Sequence, residues 1–470
     1  MRKYSILRRA FATACGFIMF TFCALPVAAR AGSSADTAPN AFGTPLTILE
    51  ANGFDYIADS TTGLTDKAYS DDALQRLVDE YGRLIWKGMP YDEYKAAMNI
   101  AWTDRTVYES NPKTVKVDIT KSYKFDDIVK IMEELSKYEG VYLYDIGDSL
   151  EGRDIYLLEV NVASDRPKET VMLTGTVHAR EQAGTEYILK EIADLLSSGT
   201  KEAREVLATT RFLTVPCVNP DGREGVAFDT AHFRYSNGLL WKAAANGTDL
   251  NKNFPGVSCG EILKKNKVSK YLSTSDKSIY YPGEYAGCNP ETCALMKFVY
   301  YGVAVAKAKI LVDYHQQGRI SYAGKPWQTK AQEQRCIDLS KTIMKKLSVG
   351  NSHNYLYWPE DDGYGLNGGG STLTDFACSV ATGAKYSPGY GFYVYTDGKK
   401  EYPLIMFEDL DKARFNVKEV NSEFATMTFE IGWGSETLGY SSNARKLLDK
   451  EYTKYHFDRV LYMLSEYAHQ

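Results

Sequence analysis

Val171-Met172-Leu173-Thr174-Gly175-Thr176-Val177 runs directly into His178-Ala179-Arg180-Glu181. An unbroken apolar run reads as a strand buried on both faces, and such strands belong to sheets covered by helices. The imidazole and the carboxylate that follow, three residues apart at the strand's mouth, can grip one metal ion together. A second run, Ile310-Leu311-Val312-Asp313-Tyr314, ends in His315. Two His and one Glu, with a fourth position open to water, make a ligand set of catalytic zinc. A His-x-x-Glu arises by chance in many proteins, but it occurs only once in this chain.

The segments around these runs alternate in period. Strands are expected over 141–144 and 155–160, around the turn Glu151-Gly152-Arg153, and then over 170–177, 212–218, 309–315 and 425–431. Helices are expected over 125–138, 184–197, 290–306, 328–347 and 446–466, where apolar residues recur at helical spacing. The alternation predicts an α/β domain: a mixed, mostly parallel twisted sheet covered by helices on both faces, with an additional N-terminal segment. Ligands of covered sheets sit beyond strand ends. Four predicted strands end in polar groups: His178, Arg180 and Glu181; Asn219-Pro220-Asp221-Gly222; His315; and Glu430, inside the apolar run 427–432. A carboxylate there is costly unless it is partnered or functional. Simple alternation also allows Glu430 to face solvent.

The N-terminus carries Arg2, Lys3, Arg8 and Arg9, then an apolar stretch to Ala29 and the small-residue site Ala29-Arg30-Ala31. That order reads as a secretory signal peptide over 1–31, with a membrane anchor as the alternative. No other stretch is long and apolar enough to span a bilayer. Residues 1–31 hold five of the 55 Lys and Arg and no acid, so their loss takes the net charge from −5 to −10. A mildly acidic protein without a basic cluster gives no support for nucleic-acid binding. Residues 32–118 read as a leader that forms a propeptide or an accessory segment, with a capped helix near Ser70-Asp71-Asp72. Residues 119–470 read as the main domain. Six cysteines follow the signal, and Cys259 and Cys288, which flank a Lys/Ser-rich insertion, are the first choice for a bridge. His232, His353, His456 and His469 lack metal spacing and read as ordinary histidines.

Seven elements in order resemble the zinc carboxypeptidases of the carboxypeptidase A type (M14 metallopeptidases), over roughly residues 120–468. They are Ser149-Leu150-Glu151-Gly152-Arg153, His178-Ala179-Arg180-Glu181, Asn219-Pro220-Asp221-Gly222, 247–254 with Asp249-Leu250-Asn251-Lys252, Pro290-Glu291-Thr292, His315 and Thr428-Phe429-Glu430. The resemblance implies a secreted bacterial member that binds one Zn²⁺ through His178, Glu181 and His315. It implies that Glu430 is the general base and that Asp249 orients the first ligating His. It also implies that Lys242, with Arg180, supports the oxyanion, and that Asn251, Lys252 and Tyr364 contact substrate, Tyr357 being a rival to Tyr364. Two positions depart from the family pattern. Lys242 and Lys252 stand where it has Arg, and an ammonium lacks the planar fork of a guanidinium.

The reading that follows is a secreted or envelope-associated monomer that hydrolyses peptides at the C-terminus. Two alternatives stand beside it. One is a hydrolase of peptidoglycan stem peptides, at a γ-D-glutamyl-diaminopimelate bond, on the same fold. The other is a zinc-bearing relative that binds peptides without cutting them, against which the retained Glu430 argues.

Overall fold

The runs at 169–175, 310–316 and 425–431 bury nearly every side chain on both faces. Strands of that kind need helices above and below. In the computed structural model the described residues are 102–228, 235, 239–254, 278–283, 289–324, 330–351, 355–358, 372–381, 394–396, 401–403 and 421–470. The expected bridge Cys259–Cys288, Tyr364, His232, His353 and the segments 1–31 and 32–101 lie outside them.

The strands are β1 (Thr103–Asp104), β2 (Val141–Asp148), β3 (Asp154–Val160), β4 (Glu169–Gly175), β5 (Thr210–Val215), β6 (Ile310–Gln316), β7 (Ile320–Ala323), β8 (Leu356–Tyr357), β9 (Val394–Thr396), β10 (Glu401–Pro403) and β11 (Ala425–Ile431). The helices are α1 (Phe125–Leu135), α2 (Ala183–Ser197), α3 (Lys201–Thr209), α4 (Pro220–Phe228), α5 (Pro290–Tyr300), α6 (Lys330–Leu347), α7 (Leu373–Ala381), α8 (Ser442–Lys454) and α9 (Val460–Ala468). One nine-stranded sheet runs β1-β2-β3-β5-β4-β6-β11-β7-β8, and β9 and β10 form a separate pair. Its centre, β5-β4-β6-β11, is parallel, and antiparallel pairings flank it on both sides. Residues upstream of 119 join this body, since β1 extends the sheet edge and Val117 is buried.

Local chemistry starts the helices. Thr200 Oγ1 accepts from Ala203 N at the head of α3, and Ser441 Oγ accepts from Ala444 N at the head of α8. Proline opens α5. Phe125, Ile128, Met132 and Leu135 form the buried stripe of α1. The expected helix over 446–466 is two helices, because the chain turns left-handed at His456 (φ 56°) and makes a 3₁₀ turn over Phe457–Arg459.

Side chains alternate across a strand, so each sheet face has its own set. Leu173, Val312, Tyr314 and Phe429 pack with Ile188 of α2, Ile343 of α6 and Leu464 of α9 in the main core. The opposite face carries Thr174, Asp313 and Thr428 and is covered by α7. Two glycines bring α2 against the sheet. A Cβ on Gly175 would lie 2.9 Å from the Gly184 carbonyl carbon, and one on Gly184 would lie 2.9 Å from Tyr314 Cβ. This approach places the 176–182 loop at the end of β4.

Three of the recurring motifs build scaffold. Asp221 accepts from Ser149 Oγ (2.7 Å), Glu151 N (2.8 Å) and Arg153 Nη1 (2.6 Å). Glu291 Oε1 accepts from Leu150 N at 3.1 Å. Burial, with the Asp221 charge nearby, raises the Glu291 carboxyl to about 7 against hydrogen bonds that lower it.

Two outcomes are expected. Gly184→Ala lowers stability by about 1–3 kcal/mol, read from the denaturant midpoint, since the clash includes backbone that cannot yield. The folded protein holds the Glu291 proton more tightly than the unfolded chain, so this group's contribution is present at low pH and lost as pH rises from about 4.3 to about 7. Glu291→Gln removes that fall, so its stability relative to the parent rises by about 3 kcal/mol between pH 4 and 8 in metal-free protein.

Candidate metal centre

The loop after β4 opens with Thr176 at φ 50°, a left-handed conformation that strains a β-branched residue. Its Oγ1 donates to the Glu181 carbonyl (3.2 Å) and lies 2.8 Å from Thr185 Oγ1, and Asn219 N donates to its carbonyl (3.1 Å). Asn219 Nδ2 donates to the carbonyls of Val177 and Ala243, which joins the loop to the segment that carries Lys242. The chain therefore enters the site at His178 with its backbone groups already paired.

His178, Glu181 and His315 meet there, all buried. His178 Nδ1 lies 2.8 Å from Glu181 Oε2, His315 Nδ1 lies 2.9 Å from the same oxygen, and the two Nδ1 atoms are 3.1 Å apart. A point about 2 Å from all three, the usual Zn–N and Zn–O length, lies just off their plane. The far side of each ring meets a carboxylate. His178 Nε2 is 3.1 Å from Asp249 Oδ1, and His315 Nε2 is 2.7 Å from Asp313 Oδ2. Those contacts assign N–H to Nε2 in both rings and leave both Nδ1 lone pairs for a cation.

Asp313 is a site residue that the sequence reading passed over. It sits two positions before His315 in an apolar strand, hence on the same face. Thr174 Oγ1 donates to its Oδ1 (2.7 Å). A buried Asp at that offset from a ligand was the available signal. Gln316 is another such residue. Its backbone N–H donates to Glu181 Oε2 (3.2 Å), and its side chain accepts from Ala183 N (2.7 Å). Behind the loop, buried Arg223 Nη1 donates to the Gln182 carbonyl (3.2 Å), and buried Arg445 Nη2 donates to Gln182 Oε1 (3.1 Å). Glu186 takes Arg223 Nη2 at 2.5 Å and balances part of their charge.

Glu430 is in register with His315 on the neighbouring parallel strand. Registered neighbours share a face, so its carboxylate lies on the same side as the ring. Its Oε2 is buried with no hydrogen-bond partner among the described residues. An orphaned carboxylate oxygen beside three converging donors fits a metal and its water. Burial and the charge of Glu181 push the Glu430 carboxyl above its ordinary range. Burial opposes ionisation of Glu181, but His178 and His315 outweigh it and keep that carboxyl ionised. His315 is raised because Asp313 overcomes the penalty of burial. Burial likewise opposes ionisation of Asp249, yet the Lys242 ammonium and His178 hold it well below the usual carboxylate range.

The remaining expected residues fall around this centre. Lys242 Nζ donates to Asp249 Oδ2 at 2.7 Å, and its carbonyl accepts from Ala179 N. Arg180 Nε is 4.0 Å from Glu181 Oε1 and has no hydrogen-bond partner among the described residues. Asn251 is buried, its Nδ2 is 3.5 Å from His315 Nε2, and its Oδ1 accepts from Leu373 N at 2.9 Å. Lys252 is buried beside it. Tyr357 lies on β8, half-buried, with the Lys341 ammonium over its ring. Among the described residues no helix is long and apolar enough to cross a membrane.

Asp313→Asn keeps the strand but gives His315 an uncharged partner. The expected outcome is a ~10–100-fold loss of zinc affinity, measured by competition with a chromophoric chelator, with the circular dichroism of the fold unchanged.

The model of the zinc carboxypeptidase family matches residues 128–402. Carboxypeptidase Z of Rattus norvegicus is 33% identical over 167 residues, which cover 33% of this chain and 24% of that protein. Carboxypeptidase B2 of Bos taurus is 26% identical over 230 residues, covering 48% of this chain and 52% of its own. The matched part thus spans about a quarter to a half of these relatives. Among solved structures, thrombin activatable fibrinolysis inhibitor superposes with a TM-score of 0.51 at 17% identity, over 75% of this chain and 76% of that one. That likeness shows the fold, a mixed sheet between helices. The family match covers more than half of the chain, and on it the protein belongs to the zinc carboxypeptidase (M14) family.

Proposed function

We propose that the protein is a secreted, monomeric zinc metallocarboxypeptidase that removes C-terminal residues from peptides. One observation carries the reading: three donors about 3 Å apart with Oε2 of Glu430, unpartnered among the described residues, on the adjoining strand. His178, Glu181 and His315 would hold the zinc. When bound, it polarises the scissile carbonyl and makes water acidic enough to attack near neutral pH.

Glu430 takes the proton of the attacking water on Oε2 and delivers it to the leaving amide nitrogen. A carboxylate held on the strand beside the three donors is placed for both transfers. Asp249 and Asp313 hold the two imidazoles in one tautomer and one orientation. Lys242 neutralises Asp249 with one N–H and keeps two further donors for the oxyanion. Arg180, partly exposed and with Nε unpaired among the described residues, supplies a second cation there. Asn251 and Lys252 line the place for the substrate's terminal carboxylate, and Tyr364 covers it.

The lysines at 242 and 252 favour a second reading on the same centre, hydrolysis of peptidoglycan stem peptides at a γ-D-glutamyl-diaminopimelate bond. A point charge does not impose the bidentate geometry that a C-terminal carboxylate finds in arginine.

Paired assays separate the two. With zinc loaded, a peptide with a free C-terminus is cleaved and its C-terminally amidated twin is not; cleavage of a muropeptide in place of both would overturn the carboxypeptidase reading in favour of the second. Glu430→Gln retains stoichiometric zinc by metal analysis and loses about 10³-fold in kcat. A variant of near-parental activity removes Glu430 from the base role.

A further inference from the structure

Cys336 on α6 and Cys378 on α7 are fully buried, and their Sγ atoms stand 3.7 Å apart. The helices that carry them cover opposite faces of the sheet. Leu339 and Ile343 of α6 pack with Met427 and Phe429. Thr374 of α7 instead meets Thr428 on the other face, with their hydroxyls 3.3 Å apart. Two layers separated by a sheet make side-chain contact only where a strand stops. Here β7 stops at Ala323, and Gly324 follows. A Cβ on Gly324 would lie 2.9 Å from Cys378 Sγ and 2.4 Å from Thr426 Cγ2, so only glycine leaves the sulfurs room to meet. Thr426 N donates to Cys336 Sγ at 3.4 Å, which aims that sulfur.

We propose that Cys336 and Cys378 are a disulfide-forming pair that ties α6 to α7 around the end of β7. The sulfurs stand within about 2 Å of the length of a disulfide bond, so forming it asks for a small movement of the two side chains. The reaction is thiol–disulfide exchange with a small-molecule or protein disulfide, run while the chain folds and before the pair is enclosed. The thiolate of one cysteine attacks a sulfur of the carrier and releases one carrier thiol. The second cysteine, as thiolate, then displaces the other carrier sulfur and forms the Cys336–Cys378 bond. Two cysteine thiols are oxidised, one carrier disulfide is reduced to two thiols, and the two protons pass to those thiols.

The bond has a consequence for the metal centre. Leu373 N at the head of α7 donates to Asn251 Oδ1, and Asn251 stands beside His315. Anchoring α7 therefore anchors one wall of the site. The closed loop spans a separation of 42 residues.

Peptide mapping of the full chain tests this. The protein is refolded with oxidised glutathione, denatured without reductant, alkylated with iodoacetamide and digested. The expected product is one cross-linked peptide pair holding Cys336 and Cys378, two hydrogens lighter than the reduced pair, with neither cysteine alkylated. Alkylation of both, or linkage of either to another cysteine, overturns the proposal. The oxidised protein is also expected to melt about 5 °C above the dithiothreitol-treated one. In the double variant Cys336→Ala, Cys378→Ala the fall caused by dithiothreitol shrinks by about that amount, and any remainder belongs to another bridge such as Cys259–Cys288; a fall as large as the parent's overturns the assignment. The readout is a bond and a melting point, so it is independent of the peptidase reading.

Discussion

Three lone-pair donors held about 3 Å apart inside a protein need a cation among them, a shared proton or a metal ion, and with both rings neutral a chain free to relax would swing them outward. Much of the architecture around the sheet's centre resists that relaxation. Asp249 and Asp313 pull each imidazole back by its Nε2. Gln316 holds Glu181 by a backbone N–H, and two buried arginines pin Gln182, the next residue. Gly175 and Gly184 remove the side chains that would keep α2 from closing on β4. The energetic cost of the cluster is thus distributed over several elements, none of which touches the metal position itself.

The parts of this arrangement that could be read in the chain are those governed by short-range periodicity. The apolar runs that became β4, β6 and β11 announced a covered sheet, because a continuous run has no solvent face. The His-x-x-Glu spacing announced paired ligands for the same local reason. What escaped depended on which way side chains turn and on contacts distant along the chain. Asp313 looked like one polar residue in an apolar strand, and only the ring of His315 turned toward it gives it a purpose. Asn219-Pro220-Asp221-Gly222 read as polar residues at a strand end and in fact leads into α4, since proline suits the first helical position and Asp221 is committed to Ser149 and Arg153. The short strands β1, β7 and β8 carry too few residues for a period to show.

The two lysines read as standing at arginine positions also take their meaning from neighbours. Lys242 is anchored at both ends, by its carbonyl to Ala179 and by its ammonium to Asp249. It acts on His178 through Asp249, the acid that ring leans on, so its charge reaches the metal centre even before a substrate arrives. A guanidinium in its place would offer a second donor along the same carboxylate edge and change how firmly Asp249 is held.

Glu430 and Arg445 lie far beyond the residues that grip the metal, in a chain whose first two ligands stand at 178 and 181. A ribosome therefore delivers the zinc-binding imidazoles and carboxylate well before the group that would move a proton and the arginine that locks their loop. Throughout that interval the chain holds the three donors without the carboxylate that stands beside them. The proposed site is therefore complete only once β11 pairs with β6.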